Sequence, residues 1–288
     1  MFYVIIIVVL LAVLLDRTAG KKDNTVEYEN AESYAQGSAV INDAVRAIDI
    51  DWVCGSVNID KDARSGISLS ETAAFDVTDE MRMSWRAEGG VLKIKFCAAG
   101  VKLPNNTPRK DLTVMLPEGL CLDDLTVSTA SADINVGEIK TRNLRADVAS
   151  GRIYLGCEVD SVSLDSASGG INAMLPSKPE SLNIKSASGD VSVTSEGVRK
   201  LDIGAASGSV WCDLDTVPES AKIDTASGDV TVILPENAGF RMNVDTASGK
   251  INSGFSLLQD GKTYVSGAPR GYLDINTASG DIEIRTKQ

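Results

Sequence analysis

The chain has no histidine. That excludes Ser-His-Asp and Cys-His nucleophile chemistry, His-ligated metal centres, and any side chain that changes charge near neutrality unaided. Cysteines are few: Cys54, Cys97, Cys121, Cys157 and Cys212 are an odd number with no Cys-x-x-Cys pair. Such spacing encodes neither a disulfide framework nor a zinc knuckle, so buried free thiols are expected. Cationic side chains are in deficit, because 28 Lys and Arg against 40 Asp and Glu leave a net charge of −12. An acidic chain of this kind is unsuited to nucleic acid and to an electrostatic hold on anionic lipid. Aromatic residues make up only 5% of the chain, and no cofactor motif is present, so no cofactor is expected.

What the chain does have is 43% hydrophobic residues over 288 positions, enough to bury a core. Its 25 glycines, with abundant Ser, Thr, Val and Ile, favour short strands and tight turns over helices.

Met1 to Leu15 is an unbroken apolar run, closed by Asp16-Arg17 and followed by Lys21-Lys22. As a helix it reaches about 22 Å at about 1.5 Å per residue, short of a bilayer core of about 30 Å. Residues 1–20 therefore read as a transmembrane anchor or a signal segment, with Thr18-Ala19-Gly20 as a small-residue cleavage point. Export to the extracytoplasmic face is the primary expectation. The positive charges after Leu15 support the opposite, cytoplasm-facing orientation, so both stand at this point. Residues 21–46 are polar and weakly patterned and read as a linker.

From residue 129 onward one motif recurs, apolar-x-apolar-x-Ser/Thr-Ala-Ser-Gly-Asp-apolar-x-apolar. Clear copies are Ser166-Ala-Ser-Gly169, Ser186-Ala-Ser-Gly189, Ala205-Ala-Ser-Gly208, Thr225-Ala-Ser-Gly228, Thr246-Ala-Ser-Gly249 and Thr277-Ala-Ser-Gly280. Weaker copies are Thr129-Ala-Ser-Ala132 and Val148-Ala-Ser-Gly151. Successive turn positions are 19, 18, 20, 19, 20, 21 and 31 residues apart. Each unit alternates with period two, the mark of strands with one buried face, and a lone unit cannot bury that face. Stacking the units about 4.8 Å apart does so. The expected fold is all-β: a single-stranded parallel β-helix, or β-solenoid, of roughly 20-residue coils over residues 47–288. Residues 47–128 form its irregular coils and 129–288 its regular ones. Gly151, Gly169, Gly189, Gly208, Gly228, Gly249 and Gly280 are its structural turn positions. The interval of 31 is expected to hold a loop excursion, Phe255 to Gly271. The final charges, Arg285 and Lys287, are expected to guard an open end against stacking.

The iterated Ser/Thr-Ala-Ser-Gly-Asp-Ile/Val motif, Trp52 in the first coil, and the pairs Leu116-Pro117, Leu175-Pro176 and Leu234-Pro235 resemble the uncharacterised bacterial family labelled "putative adhesin". The resemblance spans roughly residues 40–288. It implies a β-solenoid, often membrane-attached and linked to envelope-stress systems. It supplies no catalytic or ligand residues.

In a solenoid each motif position becomes a row on the surface. The row after the turn glycine runs Asp133, Arg152, Gly170, Asp190, Ser209, Asp229, Lys250, Asp281, and the interrupting cations and small residues favour turn-capping carboxylates over a calcium ladder. An outward row contains Tyr154, Asn172, Ser192 and Trp211, with the two aromatics three coils or about 14 Å apart. Aromatic faces and amides on a flat sheet suit an extended glycan, so these four form the candidate ligand strip. No metal site and no catalytic residue are expected. Three functional readings follow. The first is a non-enzymatic envelope-associated adhesin or binding scaffold, with a glycan or an envelope protein as partner and the membrane reached through the amino-terminal segment. The second is a membrane-tethered regulatory scaffold of an envelope-stress system facing the cytoplasm. The third is a carbohydrate-active β-helix enzyme using paired carboxylates such as Asp147 and Asp165 or Asp123 and Asp124.

Overall fold

The computed structural model describes residues 24–261 and 263–287. The apolar segment 1–20, expected as anchor or signal, lies outside the described residues. Among those described, no helix is long and apolar enough to cross a membrane.

Before the regular repeats lie β1 (Ala35–Gln36), β2 (Ala39–Ile41), β3 (Ala47–Asp62), β4 (Ile67–Ala73), β5 (Ser84–Glu88), β6 (Val91–Lys95), β7 (Lys110–Pro117) and β8 (Cys121–Val136). The regular coils follow as pairs of strands. They are β9 (Lys140–Ser150) with β10 (Ile153–Leu155), β11 (Glu158–Ser168) with β12 (Ile171–Leu175), and β13 (Ser181–Ser188) with β14 (Val191–Ser195). Next come β15 (Lys200–Ser207) with β16 (Val210–Leu214), β17 (Ser220–Ser227) with β18 (Val230–Leu234), and β19 (Phe240–Ser248) with β20 (Ile251–Ser253). A hairpin of β21 (Leu258–Asp260) and β22 (Thr263–Ser266) then leads to the last coil, β23 (Tyr272–Ser279) with β24 (Ile282–Thr286).

Within each coil the longer strand joins one parallel sheet and the shorter strand a second. β11 and β13, for instance, run in register from Ser161↔Ser181 to Ser166↔Ser186, and β12 and β14 from Ile171↔Val191 to Leu175↔Ser195. Inward residues alternate, so Val162, Leu164, Ile171, Ala173 and Leu175 are buried, as are their counterparts from β13–β14 to β17–β18, whereas in the β19–β20 coil Val244 is half-buried and Ile251 is exposed. Those rows form the core.

The corner between the two sheets explains the motif. Gly151, Gly169, Gly189, Gly208, Gly228 and Gly280 have φ of 157°, 132°, 139°, 127°, 143° and 154°. A Cβ on Gly208 would overlap the carbonyl oxygen of Gly189 in the adjacent coil. Gly249 lacks the positive φ, but a Cβ there would meet the Gly280 carbonyl in the same way. Steric exclusion by the neighbouring coil, rather than the turn alone, demands glycine. The buried motif hydroxyls close the corner from inside: Ser166 Oγ donates to Gly169 O at 3.1 Å and Ser186 Oγ to Gly189 O at 3.1 Å. The aspartates close it from outside, and they do so between coils. Asp133 Oδ1 accepts from Arg152 N at 2.8 Å, Asp190 Oδ1 from Ser209 N at 2.8 Å, Asp229 Oδ1 from Asp281 N at 2.8 Å and Asp281 Oδ1 from Lys250 N at 2.7 Å. Each carboxylate thus ties its coil to the next. Among the described residues no group of three acidic or thiol side chains is placed to hold a metal.

The stacking order is not the chain order. β3 pairs with β8 on one side and with β6 and β7 on the other, so the first coil of the chain is the second of the stack. At the far end β23 and β24 insert between β17–β18 and β19–β20. The expectation that Arg285 and Lys287 guard an open end is therefore corrected. β24 is paired on both sides, and Lys287 instead binds Asp213 at 2.8 Å and also contacts Asp215.

Two further expectations change. Part of the interval Phe255 to Gly271 is not loop but the antiparallel hairpin β21–β22, whose second strand pairs with β19 from Phe240↔Ser266 to Met242↔Tyr264. Residues 24–46 are not simply a linker. β1 pairs with β5 and β2 with β4, and Ile41 and Val45 are buried in the core. Their short, polar-interrupted strands carry too little alternation to be recognised alone.

Beneath this cap Lys110 is fully buried. Its Nζ donates to Glu71 Oε2 at 2.8 Å, to Phe96 O at 2.6 Å and to Met81 O, and lies 4.4 Å from the Phe96 ring centroid and 5.1 Å from that of Trp52. The ammonium's three donors are all satisfied, which is the condition for burying such a charge. Burial lowers its pKa, and the Glu71 carboxylate opposes that shift.

Gly208→Ala should lower stability by about 3 kcal/mol, since both the positive φ and the close carbonyl forbid a methyl group. Gly204→Ala, in the same coil with open space around the site, should leave stability unchanged or raised. Thermal denaturation of the two variants compares them directly.

Candidate functional site

The outward positions of the second sheet bring the sequence-predicted strip together. Register pairs Tyr154 with Asn172, Asn172 with Ser192 and Ser192 with Trp211. The four side chains form one row across four successive coils, spaced by about 4.8 Å per coil. Tyr154 is 39% exposed, while Asn172, Ser192 and Trp211 are half-buried. Arg152 Nη1 donates to the Tyr154 hydroxyl at 3.4 Å. The row continues at one end through Asn135, whose Nδ2 donates to Asn58 Oδ1 at 2.8 Å.

Two residues further along the strands lies a groove of about 910 Å³. Gly137 and Gly156, which have no side chains, are among its lining residues, and Met174, 57% exposed, and Thr194 continue the same row. Ion pairs line its rim, Lys61 with Glu138 at 3.2 Å and Lys140 with Glu158 at 2.7 Å. This recess was missed in the sequence. Its signal is a pair of glycines one position past the ends of β8 and β10, continuing the outward phase of the Asn135 and Tyr154 row.

A second groove, about 1220 Å³, lies on the outer face of the first sheet between residues 24–28 and β3, and includes Tyr28, Asp51, Lys95 and Asp147. Near it stand the paired carboxylates considered for catalysis. Asp147 and Asp165 are register neighbours, and Arg145 bridges them, at 2.8 Å to Asp147 Oδ1 and 3.0 Å to Asp165 Oδ2. Burial, with Asp147 beside it, raises the Asp165 pKa above the ordinary value of 3.8. The other pair is also engaged. Asp123 takes Arg142 at 3.1 Å and Asp124 takes Asn143 Nδ2 at 3.0 Å. The turn glycines 151, 169, 189, 208, 228, 249 and 280 line the coil corners, where they shape the scaffold on which the strip sits.

The five cysteines form no disulfide, and four of them, Cys54, Cys97, Cys157 and Cys212, are buried. Burial pushes the Cys97 thiol up to about 11 and the Cys157 and Cys212 thiols up to about 12, which keeps them protonated and unreactive.

Geometry of this kind defines a two-sheet β-solenoid with a shallow, elongated outer face. The Toastrack DUF4097 family model matches residues 45–285, and the chain belongs to that family. Among solved structures it is similar to a "putative lipid binding protein" from Parabacteroides distasonis, at 17% identity and a TM-score of 0.44, covering 89% of this chain and 97% of that one. It is also similar to a "putative adhesin" from Bacteroides fragilis, at 10% identity and a TM-score of 0.36, covering 88% and 97%. A "putative cell adhesion protein" from Clostridium sporogenes shares 13% identity at a TM-score of 0.27, covering 88% and 100%. Likeness at these levels transfers no ligand. No curated protein matches the chain.

Asp165→Asn tests the strain in the carboxylate pair. A carboxyl whose native pKa is raised stabilises the fold fully below its unfolded value and loses that contribution as pH rises through the native one. The variant should therefore melt above the parent at neutral pH, and the difference should vanish below about pH 4, where both states of the parent are protonated.

Proposed function

We propose that this protein is a non-enzymatic, envelope-associated binding scaffold, anchored through its apolar amino terminus with the solenoid outside the cytoplasm, and that the Tyr154 to Trp211 row holds an extended glycan. The observation that carries this reading is the register of that row beside the Gly137–Gly156 recess. Two aromatic faces about 14 Å apart can pack against the apolar faces of sugar rings, while the Asn172 amide and Ser192 hydroxyl meet hydroxyl groups between them. A chain with net charge −12 suits neutral or cationic glycans over uronate polymers.

The full chain, purified in detergent, is titrated with neutral β-linked oligosaccharides by calorimetry. Tyr154→Ala and Trp211→Ala should each weaken binding about tenfold, the loss of roughly 1.4 kcal/mol that removing one ring contact costs. Equal affinity in both variants overturns the strip. No heat with any oligosaccharide overturns the glycan reading.

A second reading, a tethered regulatory scaffold facing the cytoplasm, is favoured by the unpaired cysteines, since reducing compartments keep thiols free. In the native protein a maleimide should modify Cys121 alone, with the other four reacting only in denaturant. A carboxyl-terminal tag protected from protease in intact cells, and cut after lysis, would favour this reading over the first.

A further inference from the structure

The second end of the solenoid gathers exposed apolar side chains. Among the described residues, three of the six exposed large hydrophobic side chains, Ile251 at 42%, Leu258 at 76% and Tyr272 at 36%, belong to the last two coils and their hairpin. Register aligns two of them with their neighbours. Leu258 pairs with Val265, Val265 with Arg241 and Arg241 with Tyr272. Directly paired residues point to the same face of a sheet, so these four form one row on the outer face of the first sheet, running out to the hairpin edge. Val265 is half-buried and Arg241 exposed. Ile251 lies at the end of the second sheet, uncovered because β20 pairs with β24 alone.

Charge reverses sign over the same stretch. Residues 240–271 hold four Lys or Arg against two Asp, in a chain whose net charge is −12. Of these cations Arg241, Lys250 and Arg270 are exposed, and among the described residues no carboxylate pairs with them. Lys250 adjoins Ile251 in the chain, and Arg270 is held at the start of β19, where its N–H donates to Gly239 O at 2.9 Å. Neither groove described above reaches this stretch. The tip therefore combines protruding apolar groups, a tyrosine and unpaired cations, although the charge of the whole chain is unsuited to an anionic surface.

We propose that this tip docks on a bilayer surface of anionic phospholipid. Apolar side chains that protrude with no recess between them suit a fluid interface, which closes around Leu258 and Ile251 without a matching shape. Arg241, Lys250 and Arg270 meet phosphate and acidic headgroups, and each cation near such a surface strengthens binding about fivefold. Tyr272 supplies an amphipathic ring that sits at headgroup level. A second copy of the chain would bring like charges together here, whereas an anionic surface is complementary. The described chain enters at the opposite end, where Asn24 O accepts from Leu103 N at 2.9 Å. The strands stacked from β6 through β3, β8, β9, β11, β13, β15, β17 and β23 to β19 set the tip about 43 Å away at about 4.8 Å per step. The contact is therefore distinct from the amino-terminal end and from the Tyr154 to Trp211 row.

The full chain, loaded into phosphatidylcholine nanodiscs or captured directly if it is soluble without them, is held on a resonance sensor and washed with vesicles. Vesicles of phosphatidylcholine mixed with phosphatidylglycerol should bind, those of phosphatidylcholine alone should not, and added salt should weaken the contact. Leu258→Asp should weaken binding about tenfold, and Lys250→Gln and Arg270→Gln about fivefold each, all with the melting temperature of the parent. Lys93→Gln, which removes an exposed cation at the first end, should bind as the parent does. The Lys250→Gln variant carries the test if the hairpin variant fails to fold. A parent that ignores both kinds of vesicle overturns the proposal and leaves the tip to a protein partner. Equal binding to the two kinds overturns it as well, as does a folded Leu258→Asp variant that binds like the parent.

Discussion

The approach of one coil to the next, about 4.8 Å in the sheet direction, is the constraint on which the rest of the structure depends. At the corners that spacing leaves no volume for a Cβ beside the carbonyl of the adjacent coil, so glycine recurs wherever a coil turns from one sheet to the other. It also brings each corner aspartate within reach of the next coil's backbone N–H. Sterics and hydrogen bonding therefore act on the same few residues, and a motif that looks like a turn signature is a signature of stacking. The same spacing turns every outward position into a row, which is why a strip of side chains can form a surface without any loop building it.

Quasi-one-dimensional stacking has a cost at its ends, because a coil without a neighbour exposes both core side chains and a row of unpaired backbone groups. The first end answers this with antiparallel strands and a buried ion pair satisfied on every donor. Lys110 shows how demanding that answer is: an ammonium inside the core is held by a carboxylate, two carbonyl oxygens and two aromatic faces. Among the described residues, the second end is covered by a three-residue antiparallel strand contact from its hairpin, with Phe255 packed edge-on against Phe240. The asymmetry distinguishes two surfaces of the molecule by chemistry, a polar outer face along the coils and an apolar, hydrogen-bond-hungry edge at the tip.

Much of this was legible in the chain. Period-two alternation in Leu182, Ile184, Val191 and Val193 placed those residues inside, and the twenty-residue interval placed Tyr154, Asn172, Ser192 and Trp211 in one row. Both follow from strand geometry alone, since a fixed coil length puts equivalent residues in register. The Asp row could be assigned to capping because Arg152, Gly170, Ser209 and Lys250 interrupt it. Less legible were residues 24–46, whose two- and three-residue strands are ordered by partners far along the chain rather than by their own pattern. Lys110 stands in the inward phase of Leu112, Val114 and Leu116, a visible sign of a buried charge, but its partner Glu71 cannot be read from spacing.

The sequence by itself determined the coil, its corner glycines, the inward and outward faces and the order of residues along each row, because these depend on local sterics and on a constant repeat length. Only the tertiary structure decided which coil lies beside which. Equivalent coils offer equivalent edges, so local preference does not distinguish β17 pairing with β19 from β17 pairing with β23. The choice rests on the long connection through the hairpin, on the uninterrupted β3 finding its match in the equally long β8, and on where the caps can reach. That choice leaves β19 and β20 outermost, with their unpaired edge turned toward solvent.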